Sequence, residues 1–288
     1  NGQTVKLRGA CIHHDNGVIG ACAFSRAEER KVELLKKAGF NALRSSHNPS
    51  SRALLDACDR IGMLVVDESF DVWNVAKTKY DYSMFFEEWW EKDVKAMVDK
   101  DFNHPSVVMY SIGNEIPERD GSSNGAMMAR KQAELVRAID PTRFVASAIC
   151  DLLGPRGYSF EDMVEDISKL MVQKDKKDKG ETASSGVNPT KINPYFELTD
   201  EYASVLDIVG YNYLHNRWEF DLERCPNRII CGTESQAAQI ADIWRLVCKH
   251  PSIIGDFCWT GMDYIGEVGC GKIDYSGSKT IFGKWPWI

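Results

Sequence analysis

Two glutamates in this sequence each end a short segment of mostly apolar residues. Glu115 follows a segment that begins near Ser106, and Glu234 follows a second segment that begins at Arg228. Charged side chains are rarely buried without a partner, so a carboxylate at the exit of a buried strand indicates a function there. Two such acids suit a reaction in which one carboxyl group transfers a proton while the other acts as a nucleophile. Cleavage of a glycosidic bond uses such a pair.

The segments that carry these acids belong to a regular alternation of strand-like and helix-like segments. The predicted strands span residues 5–12, 42–47, 64–68, 107–115, 144–149, 208–213, 229–234 and 253–259. The predicted helices include residues 26–37, 51–61, 85–101, 126–139, 198–205 and 238–249. Such alternation is typical of parallel strands joined by helical crossovers.

Eight strands favour an α/β fold of the (β/α)8 TIM-barrel type over an open doubly wound sheet. The open sheet usually carries a glycine-rich phosphate turn after its first strand, and this sequence has none there. Residues 261–288 show no helical period, so the barrel is expected to lack its last helix. Ser25 and Glu28 have the spacing of a capping box, and Gly39 and Gly62 are expected to end two helices.

The whole chain, residues 1–288, is expected to form one catalytic domain. The chain opens in an Asn-Gly-Gln turn, which indicates a fragment of a longer multidomain protein. Residues 173–186 combine a dense run of charged residues with small polar ones. Such a composition predicts a solvated and mobile loop.

Composition excludes several classes of partner. The net charge of −7 argues against nucleic acid, and no apolar segment approaches the roughly 20 residues that a membrane span needs. The nine cysteines include no CxxC pair, so zinc-ribbon and thioredoxin-like sites are not indicated. We expect buried, reduced thiols instead, which favours a cytoplasmic protein.

Polar residues follow most of the predicted strands. In a barrel the carboxyl ends of the strands meet at one mouth, where active sites lie. We therefore expect distant sequence positions to converge there. Two carboxyl groups ~5 Å apart would give retention of anomeric configuration, whereas ~6.5–9.5 Å would give inversion. The residues at these ends are His13, His14, His47, Asn48, Asp67, Glu68, Asn114, Glu115, Tyr213, Glu234 and Trp259.

Here a family resemblance becomes specific. The Asn114–Glu115 pair is similar to the Asn-Glu pair of the glycosidase superfamily whose barrels place two glutamates on strands 4 and 7. More narrowly, the chain resembles the catalytic domain of glycoside hydrolase family 2, which includes β-galactosidases and β-glucuronidases. The similar stretches, in family order, are residues 7–14, 44–49, 66–68, 111–116, 210–213, 232–235 and 255–260.

The resemblance implies a role for each matching residue. Glu115 would be the acid/base and Glu234 the nucleophile of a retaining mechanism. Asn114 would bind the 2-hydroxyl of the sugar, and Tyr213 would donate a hydrogen bond to the nucleophile. His47 would lie in the sugar subsite, and Trp259 would offer an apolar face to the sugar ring.

Three further residues are expected to support the two acids. Arg44, in the barrel near Glu234, is expected to lower the pKa of that carboxyl by its charge. Asp67 and Glu68 are expected to form hydrogen bonds at the barrel mouth with Arg44 or a neighbouring residue.

The adjacent histidines His13 and His14 suggest a metal site at first sight. Adjacent strand residues point to opposite faces, so at most one of them enters the mouth, and we expect His14 to contact substrate. No HExxH-type spacing accompanies them, so no metal and no other cofactor is expected in the chemistry.

The sequence also departs from the family. The β-glucuronidases carry an Asn-x-Lys motif after the eighth strand, whose lysine meets the sugar carboxylate. This chain has no Asn beyond Asn227, which favours a neutral sugar, and galactose is the sugar that we predict. Lys272, Lys279 and Lys284 could in principle replace that lysine.

The prediction is therefore a retaining exo-β-glycosidase, a β-galactosidase, that acts on a small carbohydrate. A β-glucuronidase or another exo-glycosidase of family 2 is the main alternative. A non-catalytic carbohydrate-binding barrel and a metal-dependent barrel hydrolase are weaker ones. The expected partners are the β-sandwich domains that precede the barrel in the family and, in a homo-oligomer, further copies of the chain.

Overall fold

The structure, a computed structural model, describes residues 2–121, 124–150 and 195–262. Eight parallel strands form a closed barrel in which each strand pairs with the next and the last with the first. The prediction of a (β/α)8 barrel is confirmed. The strands are β1 (Leu7–Ile12), β2 (Ala42–Ser45), β3 (Leu64–Glu68), β4 (Val107–Asn114), β5 (Phe144–Ile149), β6 (Ile208–Asn212), β7 (Ile230–Gln236) and β8 (Ile253–Trp259).

Helices follow on the outside of the barrel. They are α1 (Ser25–Lys37), α2 (Arg52–Ile61), α3 (Ser83–Asp101), α4 (Gly125–Ile139), α5 (Tyr195–Leu198), α6 (Asp200–Ala203), α7 (Trp218–Arg224) and α8 (Ile240–Lys249). The single helix predicted over residues 198–205 is therefore wrong, because two four-residue helices, α5 and α6, occupy this region. The predicted loop at 173–186 and the missing helix after β8 lie outside the described residues.

The interior of the barrel has an apolar layer below a polar one. The apolar layer takes one or two residues from every strand. Side chains two positions apart on a strand share a face. Arg44 and Glu68 lie two residues beyond Ala42 and Val66 of this layer. They therefore point to the same face, nearer to the mouth. The residues of the apolar layer are Leu7, Cys11, Ala42, Val66, Met109, Ala146, Ile208, Cys231 and Phe257.

The strand pairing becomes irregular near both glutamates. The register between β4 and β5 shifts between Ser111 and Asn114, and that between β7 and β8 shifts between Gly232 and Ser235. Such irregularities leave residues out of the regular ladder and change the direction of their side chains. They therefore help to aim the side chains at the strand ends.

Gly39 and Gly62 follow α1 and α2 with positive φ, as predicted, whereas the predicted capping box at the start of α1 is not observed. Ser51 caps α2, because its hydroxyl accepts a hydrogen bond from Leu54 N at 3.1 Å, and Gly62 ends that helix with φ of 77°. The capping box at Ser25 is wrong: Phe24 is the N-cap of α1 and Ser25 already lies inside the helix. Glu28 is buried instead and pairs with Lys31 at 3.0 Å.

The state of the cysteines and the hydropathy of the helices can be compared with what the composition predicts. All eight cysteines within the described residues are free thiols, and five of them are buried. Among the helices of residues 2–121, 124–150 and 195–262, none has the length and hydropathy that a membrane span requires.

Candidate active site

Two residues at the mouth of the barrel have an unusual backbone conformation. Glu115 follows β4 with φ of 46°, and Tyr213 follows β6 with φ of 60°. Residues other than glycine seldom adopt positive φ, and such conformations cluster at functional sites. Main-chain hydrogen bonds fix both turns, from Glu115 N to Ala148 O at 2.9 Å and from Tyr213 N to Glu234 O at 2.8 Å.

Arg44 links three of the predicted site residues. Its guanidinium is completely buried. It donates to Glu234 Oε1 at 2.9 Å, to Glu68 Oε2 at 2.8 Å and to Asn114 Oδ1 at 2.8 Å. One buried positive charge is thus shared by two buried carboxylates.

Glu68 is the second centre of this network. Besides Arg44 it accepts hydrogen bonds from His47 Nδ1 at 2.7 Å and from the hydroxyl of Ser111 at 2.5 Å. Burial is the largest single effect and would raise the pKa of Glu68, but the charge of Arg44 together with the hydrogen bonds from His47 and Ser111 outweighs burial and lowers the pKa. Glu68 is therefore an anion, and its hydrogen bonds orient Arg44 and His47.

His47 connects Glu68 with Glu234. Its Nε2 lies 3.6 Å from Glu234 Oε1, and its ring stacks on Trp259 with centroids 5.4 Å apart. Burial would lower the pKa of His47, but the hydrogen bond and the charge of Glu68 outweigh it, so the pKa is raised. A proton on this imidazole favours the ionised form of Glu234.

The pKa of Glu234 itself is raised. Burial is the largest cause, and the charges of Arg44 and His47 offset it only in part, while the negative charge of Glu115 adds to it. Arg44 therefore lowers the pKa of Glu234 as predicted, but desolvation prevails because only 4% of the residue is exposed.

Asn212 and Tyr213 join the two glutamates. Asn212 Nδ2 donates to Glu115 Oε1 at 3.0 Å and to Asn114 Oδ1 at 3.0 Å, while the Asn212 main chain pairs with Glu234. Burial and the charges of Glu234 and Glu115 raise the pKa of Tyr213, and a side-chain hydrogen bond to Glu234 contributes. The tyrosine hydroxyl therefore stays protonated beside both carboxylates.

The loop after β3 adds two residues that the sequence analysis missed. Asn114 Nδ2 donates to Asp71 Oδ1 at 2.9 Å, and Lys77 Nζ donates to the same oxygen at 2.8 Å. Lys77 also donates to the main-chain oxygen of Asn114 at 3.0 Å. Asp71 lies only three residues beyond Glu68 at the end of a strand, and this position was the available signal.

The remaining predicted residues occupy different places. Asp67 faces away from the mouth and accepts hydrogen bonds from the Ser45 hydroxyl at 2.7 Å and from Ser50 N at 2.8 Å. Its neighbour Glu68 makes the contact with Arg44, since adjacent strand residues face opposite sides.

The two histidines after β1 also separate. His13 is buried with its ring centroid 5.0 Å from that of Trp259. His14 is half-buried, and its Nε2 lies 3.4 Å from Asn48 O. The structure thus brings His13, rather than His14, into contact with Trp259. A substrate contact by His14 stays a prediction.

A cavity of about 690 Å³ opens beside this network. His47 and Asp71 form its inner wall, and residues of α3, including Asp93 and Met97, form its outer wall. The cavity therefore continues outward from the side of the site that His47 and Asp71 border.

One other group of metal-type ligands occurs among the described residues. Asp56, Asp59 and His104 lie close together, but Asp56 and Asp59 belong to α2 rather than to a strand end. Asp59 already accepts hydrogen bonds from His104 Nδ1 at 2.7 Å and from Ser106 N at 2.9 Å. These contacts account for the cluster as a link between α2 and the segment before β4.

Comparisons with known proteins agree with this geometry. Residues 1–202 match the family model described as glycosyl hydrolases family 2, TIM barrel domain. Beta-galactosidase BoGH2A of Bacteroides ovatus is 33% identical over 93% of this chain and 35% of its own length. A glycosyl hydrolase family 2 member from Bacteroides cellulosilyticus is 42% identical with a TM-score of 0.75, covering 97% of this chain and 30% of that one.

A more distant structure has the same fold. The beta-glucuronidase of Bacteroides uniformis is 20% identical with a TM-score of 0.65, covering 93% of this chain and 32% of that one. The chain thus spans about a third of the length of each of these relatives.

Proposed function

Since the chain belongs to glycosyl hydrolase family 2, we propose that the protein containing it is a retaining exo-β-glycosidase that releases terminal galactose. One observation carries the proposal. Asn212 bonds the carboxylate of Glu115 through its side chain and pairs with Glu234 through its main chain, so both acids border one site. The activity is proposed for the full-length protein, with the β-sandwich domains expected before this barrel.

In the first step, Glu234 attacks the anomeric carbon and forms a covalent glycosyl-enzyme ester. The bond between the anomeric carbon and the leaving oxygen breaks, and Glu115 gives its proton to that oxygen. Arg44 and His47 favour the ionised nucleophile against the effect of burial. Tyr213, with its raised pKa, remains a hydrogen-bond donor to Glu234.

In the second step, Glu115 takes a proton from a water molecule, and the oxygen of that water attacks the anomeric carbon. Glu234 leaves as a carboxylate, and the two inversions give net retention. In this mechanism Asn114 binds the 2-hydroxyl, a hydrogen bond that strengthens in the oxocarbenium-like transition state. Its Oδ1 is occupied by Arg44 and Asn212, so the amide presents Nδ2 to the sugar.

Galactose is the proposed sugar for two reasons. The Asn-x-Lys motif of the β-glucuronidases is missing from the sequence, and the relative from Bacteroides ovatus is named a beta-galactosidase. A β-glucuronidase is the alternative, but the three lysines that could replace that motif lie outside the described residues. A non-catalytic barrel is disfavoured because both glutamates retain specific side-chain partners.

Variants of the two glutamates in the full-length protein test the proposal. We expect Glu234→Ala to reduce cleavage of 4-nitrophenyl β-galactoside at least about 10³-fold. Azide should restore turnover and yield α-galactosyl azide, because it replaces the nucleophile in a single displacement. Glu115→Ala should slow galactosides with poor leaving groups by about 10²- to 10⁴-fold, and azide should then give the β-linked product.

Glu88→Gln, which changes an exposed residue of α3, is the control and should behave like the wild type. Release of α-galactose by the wild-type protein would exclude a retaining mechanism. A wild-type preference for glucuronides over galactosides would favour the alternative.

A further inference from the structure

Asp71 is a carboxylate at the border of the site to which the proposed mechanism gives no role. It lies at the junction of the site and the 690 Å³ cavity, and 46% of its side chain is exposed. Its position is fixed by two hydrogen bonds, which Asn114 Nδ2 and Lys77 Nζ both donate to Oδ1. Among the described residues, no hydrogen bond is made to its second oxygen, Oδ2.

The charge of Asp71 is maintained by its surroundings. Burial is the largest single effect and would raise the pKa of Asp71, but the charges of Lys77 and His47 and the hydrogen bonds from Asn114 and Lys77 together outweigh burial and lower the pKa. Lys77 is only 13% exposed and is held at a second point by the main-chain oxygen of Asn114. Asp71 is therefore an ionised acceptor in a fixed place.

The geometry of Asn114 relates this acceptor to the sugar. Asn114 Nδ2 has two hydrogens, and one of them is donated to Asp71 Oδ1. If the other meets the 2-hydroxyl, as proposed above, the carboxylate of Asp71 lies next to that hydroxyl. The ring neighbours of C2 are C1, which Glu234 attacks in the proposed mechanism, and C3. Beyond the 2-hydroxyl, on the side away from C1, the next hydroxyl within reach of Asp71 is therefore the 3-hydroxyl.

We propose that Asp71 is a substrate-binding residue whose Oδ2 accepts a hydrogen bond from the 3-hydroxyl of the terminal sugar, with Lys77 as its positioning residue. The inference rests on the proposed function and extends it to a named hydroxyl. A site built to bind a hydroxyl group discriminates strongly against an analogue that lacks it, because the acceptor is then left without a partner. The enzyme should therefore require a free equatorial 3-hydroxyl and reject substrates substituted there.

Deoxy substrates separate this role from a structural one. We would measure kcat/KM of the full-length wild type, Asp71→Ala and Lys77→Met on 4-nitrophenyl β-galactoside and its 3-deoxy and 6-deoxy analogues. A hydrogen bond to a charged group contributes about 1.5–3 kcal/mol, which corresponds to roughly 10- to 150-fold. We expect Asp71→Ala to lose that factor on the parent and 6-deoxy substrates and less than about 3-fold on the 3-deoxy substrate.

Lys77→Met should show the same pattern with a smaller loss. Asp93→Asn is the matched control, because Asp93 lines the same cavity but bonds the hydroxyl of Tyr82 rather than the site. It should leave the ratio of the three substrates unchanged. Equal losses on all three substrates for Asp71→Ala would show that Asp71 only supports the loop, and the proposal would then be wrong.

A binding measurement distinguishes failure of the role of Asp71 from failure of the proposed function. Calorimetric titration of the Glu234→Ala variant, with and without Asp71→Ala, with methyl β-galactoside and its 3-deoxy analogue reports the same hydrogen bond without turnover. A wild type that cleaves galactosides while Asp71→Ala loses no selectivity contradicts the role of Asp71 alone. A wild type that does not cleave galactosides and a Glu234→Ala variant that binds neither sugar contradict the proposed function and this inference together.

Discussion

At the residue scale, the balance between burial and charge determines how the site can work. A buried carboxylate tends to take up a proton, and a nucleophile must not. Arg44 supplies the opposing charge to Glu234 and to Glu68 at once, and His47 repeats the same bridge with a titratable group. Removing one member of this network should therefore change the pKa of Glu234 and, with it, the pH dependence of activity.

Replacement of Arg44 should move the acid limb of the activity profile. The pKa of Glu234 is already raised, and loss of a nearby positive charge raises the pKa of a carboxyl further. In Arg44→Met, kcat/KM for the galactoside should therefore fall more at pH 5 than at pH 8. Arg44→Lys keeps the charge and should shift the limb less.

The profile from pH 4.5 to 9 checks this prediction, and thermal unfolding identifies any variant that fails to fold. A loss of equal size at every pH would mean that Arg44 acts through structure rather than through the charge on Glu234.

Tyr213→Phe removes a single hydroxyl beside the nucleophile. Because this hydroxyl bonds Glu234, and in the proposed mechanism it does not contact the sugar ring, we expect kcat to fall about 10²-fold while KM stays within about 3-fold. Steady-state kinetics on the galactoside measures both values. A change in KM alone would place the hydroxyl in sugar binding instead.

At the element scale, irregular strand ends and capped helices position the site. The register shifts after Ser111 and Gly232 release the last residues of β4 and β7 from the regular ladder. On the outer side, α2 is defined at both ends by Ser51 and Gly62. α1 begins without a side-chain cap, and its first turn is anchored by the buried pair of Glu28 and Lys31.

Ser51→Ala and Gly62→Ala should each reduce the free energy of unfolding by about 1 kcal/mol. The first removes the hydrogen bond to Leu54 N, and the second forces a β-carbon into a left-handed conformation. Ser25→Ala is the control and should cost only a few tenths of that, since Ser25 caps nothing. Urea unfolding followed by tryptophan fluorescence measures all three. Equal losses for Ser25→Ala and Ser51→Ala would contradict this assignment of the caps.

At the scale of the whole molecule, a second set of buried charges lies between the barrel and its helices. Lys100 of α3 contacts both Asp67 of β3, at 3.2 Å, and the buried Asp101. Burial and the charge of Asp67 raise the pKa of Asp101 to about 8, whereas Lys100 helps to lower that of Asp67. In this group of Asp67, Lys100 and Asp101, the carboxyl of Asp101 is therefore protonated at neutral pH.

This proton predicts a pH-dependent stability. An aspartate titrates near 3.9 in the unfolded chain, so the folded state binds the extra proton between about pH 4 and pH 8. The contribution of Asp101 to stability is complete below pH 4 and is lost as the pH rises through 8. Asp101→Asn cannot ionise, so its midpoint of thermal unfolding should improve relative to the wild type between pH 5 and pH 8.5. A difference between the two proteins that does not depend on pH would contradict the prediction.

Much of the fold and half of the site follow from local sequence pattern. Alternating segments with helix stops predict the (β/α)8 barrel, because the period of apolar residues determines each element and parallel strands require crossovers. The positions of Glu115 and Glu234 at strand ends predict that they share the mouth, and Arg44 was expected beside Glu234. These inferences need only neighbours along the chain and the geometry of one fold class.

The rest depends on contacts between residues far apart in sequence. Asn212 joins Glu115 to β7, and Lys77 reaches Asp71 and Asn114, through side chains whose partners no local pattern specifies. The cap predicted at Ser25 failed because Glu28 finds Lys31 and a buried position instead. The pKa of Glu234 is raised because burial outweighs Arg44. The sequence by itself thus determined the fold class and the strand ends that carry the two glutamates. Only the tertiary structure decided which other groups face the mouth, their partners and their charges, since solvent exclusion is a property of the packed barrel.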